Sequence, residues 1–359
     1  MYPFRDGSFA VRNAWYVLAW GSEVTRQPLE RWLLGEPVAL YRKLDGGIAA
    51  IAGNCPHRHY PLAEGCLEGD SLRCPYHGLR FAADGQCDDI PSQSHVPRAY
   101  RARSYPVVQQ WEWVWVWAGD PERADPSLLP ADEEIRLNEE GFVYRPFYFH
   151  EIKARYQLLN DNLLDLTHLA FLHASTIGQR ENSTTPDVRE QTGRRLSSRR
   201  EMKDVALAPA SRLRHQGKVD RVSAMDFFAP GLHAGIDETR VASSDPERGG
   251  ELLAAGRVYH AVTPATRDTT YYFFANGARS EEELDRKFEL LKEPIAEDIH
   301  ASEEIERILS RMEGPPRELL LKADAQAVQG RRLLQEMMDR EQTAGTAAGG
   351  AAPEPARTG

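Results

Sequence analysis

Short apolar runs separated by turn residues dominate the first third of the chain. Val38-Ala39-Leu40-Tyr41 and Ile48-Ala49-Ala50-Ile51 flank Asp45-Gly46-Gly47, and residues 8 to about 120 read as a compact β domain. The segment Trp111–Trp117 alternates with period two, which predicts a strand with four indoles on one face, packed in the core of that domain. A linker is expected over 119–130, where Asp, Pro and Glu cluster and the periodicity stops. From about 140 the pattern becomes α+β. Residues 155–173 read as a leucine-rich helix, and 256–264 and 269–276 as strands. A helix interrupted at Pro294 is predicted over 281–312, and another over 318–340. The stretch 342–359 is Ala, Gly, Pro and Thr with almost nothing to bury, so disorder is expected there. The organisation predicted is one domain over 1–125, a second over 126–341, and a tail over 342–359.

Polar residues that break this pattern carry the chemistry. Cys55-Pro56-His57 and Cys74-Pro75-Tyr76-His77 form two Cys–His pairs, each from a tight turn. A Rieske [2Fe–2S] cluster needs two thiolates on one iron and two imidazoles on the other. A Cys2His2 zinc site uses the same ligand types but favours C-x-x-C and H-x-x-x-H pairing, whereas each pair here is mixed. The second constellation is Asn162, Asp165, His168 and His173, spaced N-x2-D-x2-H-x4-H in a leucine-rich segment. Buried polar groups there must be paired with one another or bind a metal. His168 and His173 cannot both face one atom from a straight helix, so the helix should end or distort between Leu169 and Leu172. A site with two histidines needs a carboxylate to complete an Fe(II) facial triad. Asp298 falls on the apolar stripe Leu284, Phe288, Leu291, Ile295, Ile305 and Leu309, while Glu297 is rotated off it. Asp298 is therefore assigned as the third ligand, the alternative for it being a buried salt bridge.

Composition narrows the classes. The chain has 359 residues, 41% hydrophobic and 27% charged, enough for two globular domains. No apolar run reaches membrane-spanning length, and Met1–Asp6 lacks a signal pattern, so a cytoplasmic protein is expected. A formal charge of −10 argues against general nucleic-acid binding. Cys66 and Cys87 are expected as unpaired thiols. The chain has no glycine-rich dinucleotide fingerprint, so its electrons should come from a separate reductase.

Asn54-Cys55-Pro56-His57-Arg58, Pro61-Leu62, Gly65 and Cys74-Pro75-Tyr76-His77-Gly78 together resemble the Rieske domain of aromatic-ring oxygenases. Asn13–Val17, the iron-motif segment running on to His173–Gln179, and Ala296-Glu297-Asp298 are similar to the vanillate O-demethylase oxygenase family, whose relatives include dicamba monooxygenase and toluenesulfonate methyl-monooxygenase. The resemblance implies an all-β Rieske domain followed by a helix-grip (START-like) catalytic domain, in a head-to-tail homotrimer. It implies a [2Fe–2S] cluster on Cys55, His57, Cys74 and His77, and a mononuclear Fe(II) on His168, His173 and Asp298. Asn162 would sit beside the iron. Asp165 would relay an electron between His168 and a Rieske histidine of the next subunit, its carboxylate accepting a hydrogen bond from the His168 ring. His260 resembles a substrate-facing histidine, with an ordinary strand histidine as the alternative. His59 departs from the family, which more often has a small residue there. The activity implied is O-demethylation or methyl hydroxylation of a small aromatic acid. O2 is the oxidant, and an NAD(P)H-dependent flavin and iron–sulfur reductase is the partner. The competing readings are ring hydroxylation and a non-catalytic Rieske carrier with a ligand-binding domain.

Overall fold

Runs of Val, Ile and Trp cut by Gly, Asp and Asn turns favour pleated backbone. In the computed structural model, which describes Phe4, 8–314 and 316–348, the first 117 residues accordingly form strands and no α-helix among the described residues. One three-stranded sheet is β1 (Trp15–Trp20) with β9 (Val107–Gln110) and β10 (Trp113–Trp117), and a second is β2 (Leu29–Leu33), β3 (Glu36–Arg42) and β4 (Ile48–Ala52). A four-stranded sheet, β5 (Cys66–Glu68), β6 (Ser71–Arg73), β7 (Arg80–Phe81) and β8 (Cys87–Asp89), carries the second Cys–His loop between β6 and β7.

The rest is one antiparallel sheet gripping helices. Its strands are β11 (Val143–Ile152), β12 (Asp187–Thr192), β13 (Arg195–Val205), β14 (Val219–Phe228), β15 (Leu232–Val241), β16 (Leu252–Pro264) and β17 (Thr270–Ala278), in the order β11-β17-β16-β15-β14-β13-β12. The helices are α1 (Asp132–Ile135), α2 (Tyr156–Leu164), α3 (Glu181–Thr184), α4 (Glu281–Leu309) and α5 (Ala325–Ala348). Side chains alternate across a strand, so the two sheet faces serve different partners. On the outer face Tyr259 and Phe273 meet Trp113 and Trp20 of the first domain, with ring centroids 6.1 and 5.4 Å apart. On the inner face His260, Tyr272 and Phe274 look toward α2 and α4.

Four expectations change here. The tryptophan strand begins at Trp113. Trp111 lies in the preceding turn at φ 59°, and its indole donates to Asp132 Oδ1 at 2.6 Å. This sheet packs into a core shared with the second domain, because both of its faces are buried and the cluster lobe has a separate small core. α4 passes through Pro294 unbroken; the missing N–H costs one hydrogen bond, and burial of Leu284, Ile295 and Asp298 against α2 and the sheet outweighs it. Beyond Asp298 the buried side of α4 is polar. Glu306 takes the Arg155 guanidinium at 2.5 and 2.6 Å, and Ser302 donates to the Asp298 carbonyl, while Ile305 is 48% exposed.

At the C-terminal end, α5 starts at Ala325 and not at Glu318. A turn closed by Leu321 N–H on Asp324 occupies the intervening residues, and Glu318 is drawn onto Arg331. α5 runs to Ala348, so 342–348 of the expected disordered tail is helical, as its alanines favour. The remainder, 349–359, lies outside the described residues. Glu341 accepts from the backbone N–H groups of Arg12 and Asn13, tying this helix to the start of the first domain.

Candidate metal centres

The two Cys–His loops are built alike. Cys55 N–H donates to Tyr60 O and His59 N–H returns to Cys55 O; Cys74 N–H donates to Leu79 O and Gly78 N–H returns to Cys74 O. Each loop closes four residues after its cysteine in the left-handed region, with His59 at φ 55° and Gly78 at φ 77°. His59 therefore holds the turn position that glycine holds in the other loop. Its Nδ1 faces Asn54 Nδ2 at 2.9 Å. The thiols of Cys55 and Cys74 are buried and the His57 and His77 rings exposed, with centroids 4.5 Å apart. Burial pushes Cys55 up to about 11, and Cys74 beside it adds to the rise, so metal must displace the protons. A zinc ion needs all four ligand atoms drawn close around one point. Among the described residues that tight convergence occurs at another site, and no three of these four residues show it. Thiols inside and imidazoles outside suit two irons. Cys66 is exposed and Cys87 buried, and neither is in a disulfide.

The second centre lies between α2, the segment after it, and α4. α2 stops at Leu164, and Asp165 at φ −123° and ψ 93° starts a 3-10 turn over Leu166–Ala170. The distortion thus falls earlier than expected. The Asp165 carboxylate caps this turn, accepting from Thr167 N–H at 2.9 Å. His168 Nδ1 instead meets the Asp165 backbone carbonyl at 2.5 Å, which corrects the expected carboxylate contact. A carbonyl only accepts, so Nδ1 carries the proton and the Nε2 lone pair points inward.

His168, His173 and Asp298 each offer one atom, all within 4.8 Å of one another. Asp298 Oδ1 is 3.5 Å from His168 Nε2 and 3.1 Å from His173 Nε2. Asn162 Nδ2 donates to the same oxygen at 2.9 Å, and Asn162 Oδ1 is buried without a partner. Sequence reasoning set Glu297 aside, yet its carboxylate is 2.6 Å from His173 Nδ1. Adjacent acids on one helix turn were the available signal: Asp298 faces inward and Glu297 reaches around the ring.

Burial acts to lower His173, but Asp298 and Glu297 outweigh it and raise its pKa. Burial lowers His168 against the pull of Asp298. Burial also opposes ionisation of Asp298, yet His173 and His168 hold it below the usual carboxylate range. His260 is buried on the inner sheet face, 2.6 Å from Tyr272 Oη, and burial pushes it down to about 4 against a small opposing effect of Asp298. Its cross-strand partner is His233, whose Nε2 donates to Asn160 Oδ1 at 2.9 Å.

Comparison with known proteins adds to this geometry. Residues 14–106 match the Rieske [2Fe-2S] domain, and 152–340 match the vanillate O-demethylase oxygenase C-terminal domain. The iron–sulfur subunit of the toluene-4-sulfonate monooxygenase system of Comamonas testosteroni is 34% identical over 96% of this chain and 99% of that protein. The vanillate O-demethylase oxygenase subunit of Pseudomonas sp. strain HR199 is 33% identical over 94% and 97%. Dicamba monooxygenase bound to 3,6-dichlorosalicylic acid superposes with a TM-score of 0.83 at 27% identity, covering 93% of this chain and 99% of that one. A dicamba monooxygenase structure with non-haem iron and dicamba gives 0.78 at 28% identity, over 94% and 100%. With a Rieske domain, a matching catalytic domain and near full-length relatives, this chain belongs to the vanillate O-demethylase oxygenase family of Rieske non-haem iron oxygenases.

Proposed function

We propose that this chain is a terminal oxygenase that O-demethylates or hydroxylates a methyl group of a small substituted aromatic acid. It uses O2 and electrons from NAD(P)H, delivered by a flavin and iron–sulfur reductase. The observation that carries the reading is the convergence of half-buried His168 with buried His173 and Asp298 in a chain that also bears two Cys–His loops. Two imidazoles and one carboxylate on one side of a point are the donor set for Fe(II), and the unpartnered Asn162 Oδ1 beside them fits a polar occupant. In this reading Cys55 and Cys74 hold one iron of the cluster, His57 and His77 the other, and the trio holds the mononuclear iron. When bound, that iron supplies the oxygen activation that attacks a methyl C–H bond.

The chain's own residues prepare the site. The Asp165 carbonyl and the Glu297 carboxylate take the outer ring nitrogens of His168 and His173, which aims both Nε2 atoms at the same point. Asn162 steadies Asp298. His260, held neutral by burial and oriented by Tyr272, offers a polar contact to the substrate. Asp165 uses Oδ1 as a cap, and its Oδ2, without a partner among the described residues, suits a Rieske histidine of the neighbour in a head-to-tail homotrimer. A methoxy carbon that gains a hydroxyl is a hemiacetal and collapses to a phenol and formaldehyde. No helix of the described residues is long and apolar enough to cross a membrane, in keeping with a cytoplasmic enzyme.

A screen of aromatic acids with a surrogate reductase, scoring formaldehyde and hydroxymethyl products, tests the activity. About three irons per chain are expected, whereas a Rieske carrier would hold two. Products hydroxylated on the ring alone would overturn the methyl-group reading.

A further inference from the structure

A cavity of about 480 Å³ opens between the first half of α4, residues 207–214 and the inner ends of β14–β16. Arg212, Arg214, Arg286 and Lys287 line it, outnumbering the acids Asp237 and Glu283. Arg221, also in the wall, is committed: it holds Asp237 at 3.0 and 2.5 Å and Gln179 at 3.1 Å. Lys287 is different. Its ammonium makes no hydrogen bond and no ion pair within 4.0 Å among the described residues, and Asp237 and Glu283 act on it only through space. The Nζ atom lies where a side chain on Gly256 would be, 2.2 Å from the position of a Cβ there. A glycine inside a strand marks such a close approach.

The lining of the cavity stops short of the metal centre, and from Gly256 a single face of the sheet continues toward it. Gly256 pairs with Asp237; the next row on the same face is Gly235, Val258 and Asn276; the row after that is His233, His260 and Phe274. Each step is ~7 Å. Asn276 is fully buried, and neither its Nδ2 nor its Oδ1 has a partner. A native fold keeps such an amide at a cost unless something outside the chain bonds to it. On the opposite wall, Lys287 and Asp298 are three helical turns apart on one face of α4, ~16 Å along the axis. The lysine stem and the ligand side chains take up part of that length, and the remainder suits one substituted ring.

We propose that this cavity takes the anionic substituent of the aromatic substrate on Lys287, with the ring passing Asn276 and its methyl-bearing end directed to His168, His173 and Asp298. The inference rests on the oxygenase reading above and adds where the acid group binds. A buried carboxylate or sulfonate needs a cation. Burial lowers His233, His260 and Lys287 alike, but Lys287 starts from a value far above neutrality and Asp237 and Glu283 act to keep its charge, so it is the cation on the path to the metal centre.

Calorimetry without O2 or reductase, on protein loaded with cluster and iron, tests the proposal apart from turnover. The probes are toluene-4-sulfonate against uncharged toluene-4-sulfonamide, and vanillate against vanillyl alcohol. The wild-type protein should bind the anion of at least one pair roughly ten- to a hundredfold more tightly than its neutral partner. Lys287→Met keeps the stem and should cut that preference to within about threefold, with neutral binding unchanged. Gly256→Ala keeps the charge but displaces Nζ, and should weaken the anion alone. Asn276→Leu should raise the unfolding midpoint while weakening both partners of the pair, a combination that a purely structural asparagine would not give. An unaltered Rieske absorption spectrum checks that each variant is folded. Absence of any anion preference in wild type, or its survival in Lys287→Met, overturns the proposal. Failure of wild type to oxidise any probe, with the preference intact, counts against the oxygenase reading instead.

Discussion

Glu297→Gln is the perturbation that separates the two neighbouring acids of α4. Glu297 Oε2 lies 2.6 Å from His173 Nδ1, a charge-assisted bond that sets the ring so that Nε2 faces Asp298. Bonds to a charged partner contribute about 1.5–3 kcal/mol. The Glu297 side chain is 26% exposed, so solvent screens part of this and the lower half of the range applies. A loss of about 1.5–2 kcal/mol corresponds to roughly ten- to thirtyfold weaker Fe(II) binding, within the range expected for an outer partner of a metal-bound histidine. Asp298→Asn should go further and empty the site, because it removes the carboxylate charge that both Nε2 atoms of the trio face. Both variants should keep the Rieske EPR signal, since the cluster loops are on other elements. The assay is competition for Fe(II) against a chromogenic chelator in cluster-loaded protein. Unchanged affinity in Glu297→Gln, or a larger loss there than in Asp298→Asn, would refute the division of labour between these acids.

Three further outcomes are expected. His59→Gly relieves a left-handed backbone at φ 55° and should stabilise the first domain by up to about 1 kcal/mol while leaving the Rieske EPR signal intact; loss of the signal would make His59 a ligand. Asp165→Asn keeps the cap on Thr167 N–H and should retain both metals while slowing single-turnover oxidation of the pre-reduced cluster; an unchanged rate removes the relay. His260 has its pKa lowered to about 4 in the fold, so the unfolded chain binds more protons between that value and about 6.5, and stability falls as pH drops through this window. The loss from this one group is about 3 kcal/mol; urea unfolding between pH 7 and 4 measures it, and His260→Gln should flatten the dependence.

Legibility followed the range of the interaction. The two Cys–His loops at 55–57 and 74–77 were readable because each closes within a few residues, a property of local spacing. The strands at 36–42 and 48–52 were readable from turn chemistry. Trp111 was misplaced because period two cannot distinguish a strand residue from a turn residue that continues the alternation. The start of α5 was misplaced because an ion pair from Glu318 to Arg331 overrides helix propensity. Pro294 breaks a helix in isolation, and burial along α4 reverses that.

The sequence by itself determined the candidate donor residues, the family and the alternation of buried and exposed positions. These depend on residue type and on neighbours a few positions away. It also placed Asp298 correctly on an inward face, since helical periodicity is local. Only the tertiary structure decided which group supports which histidine. The Asp165 carbonyl replaces its carboxylate because α2 ends at Leu164, well before the break expected between Leu169 and Leu172, and Glu297 reaches His173 because α4 crosses the segment after α2 at that height. Lys287, Gly256 and Asn276 are far apart in the chain and unremarkable singly. They become a track to the metal centre only when strand register and helix packing bring 256, 276 and 287 to one face, and register is a property of paired strands that no single segment encodes.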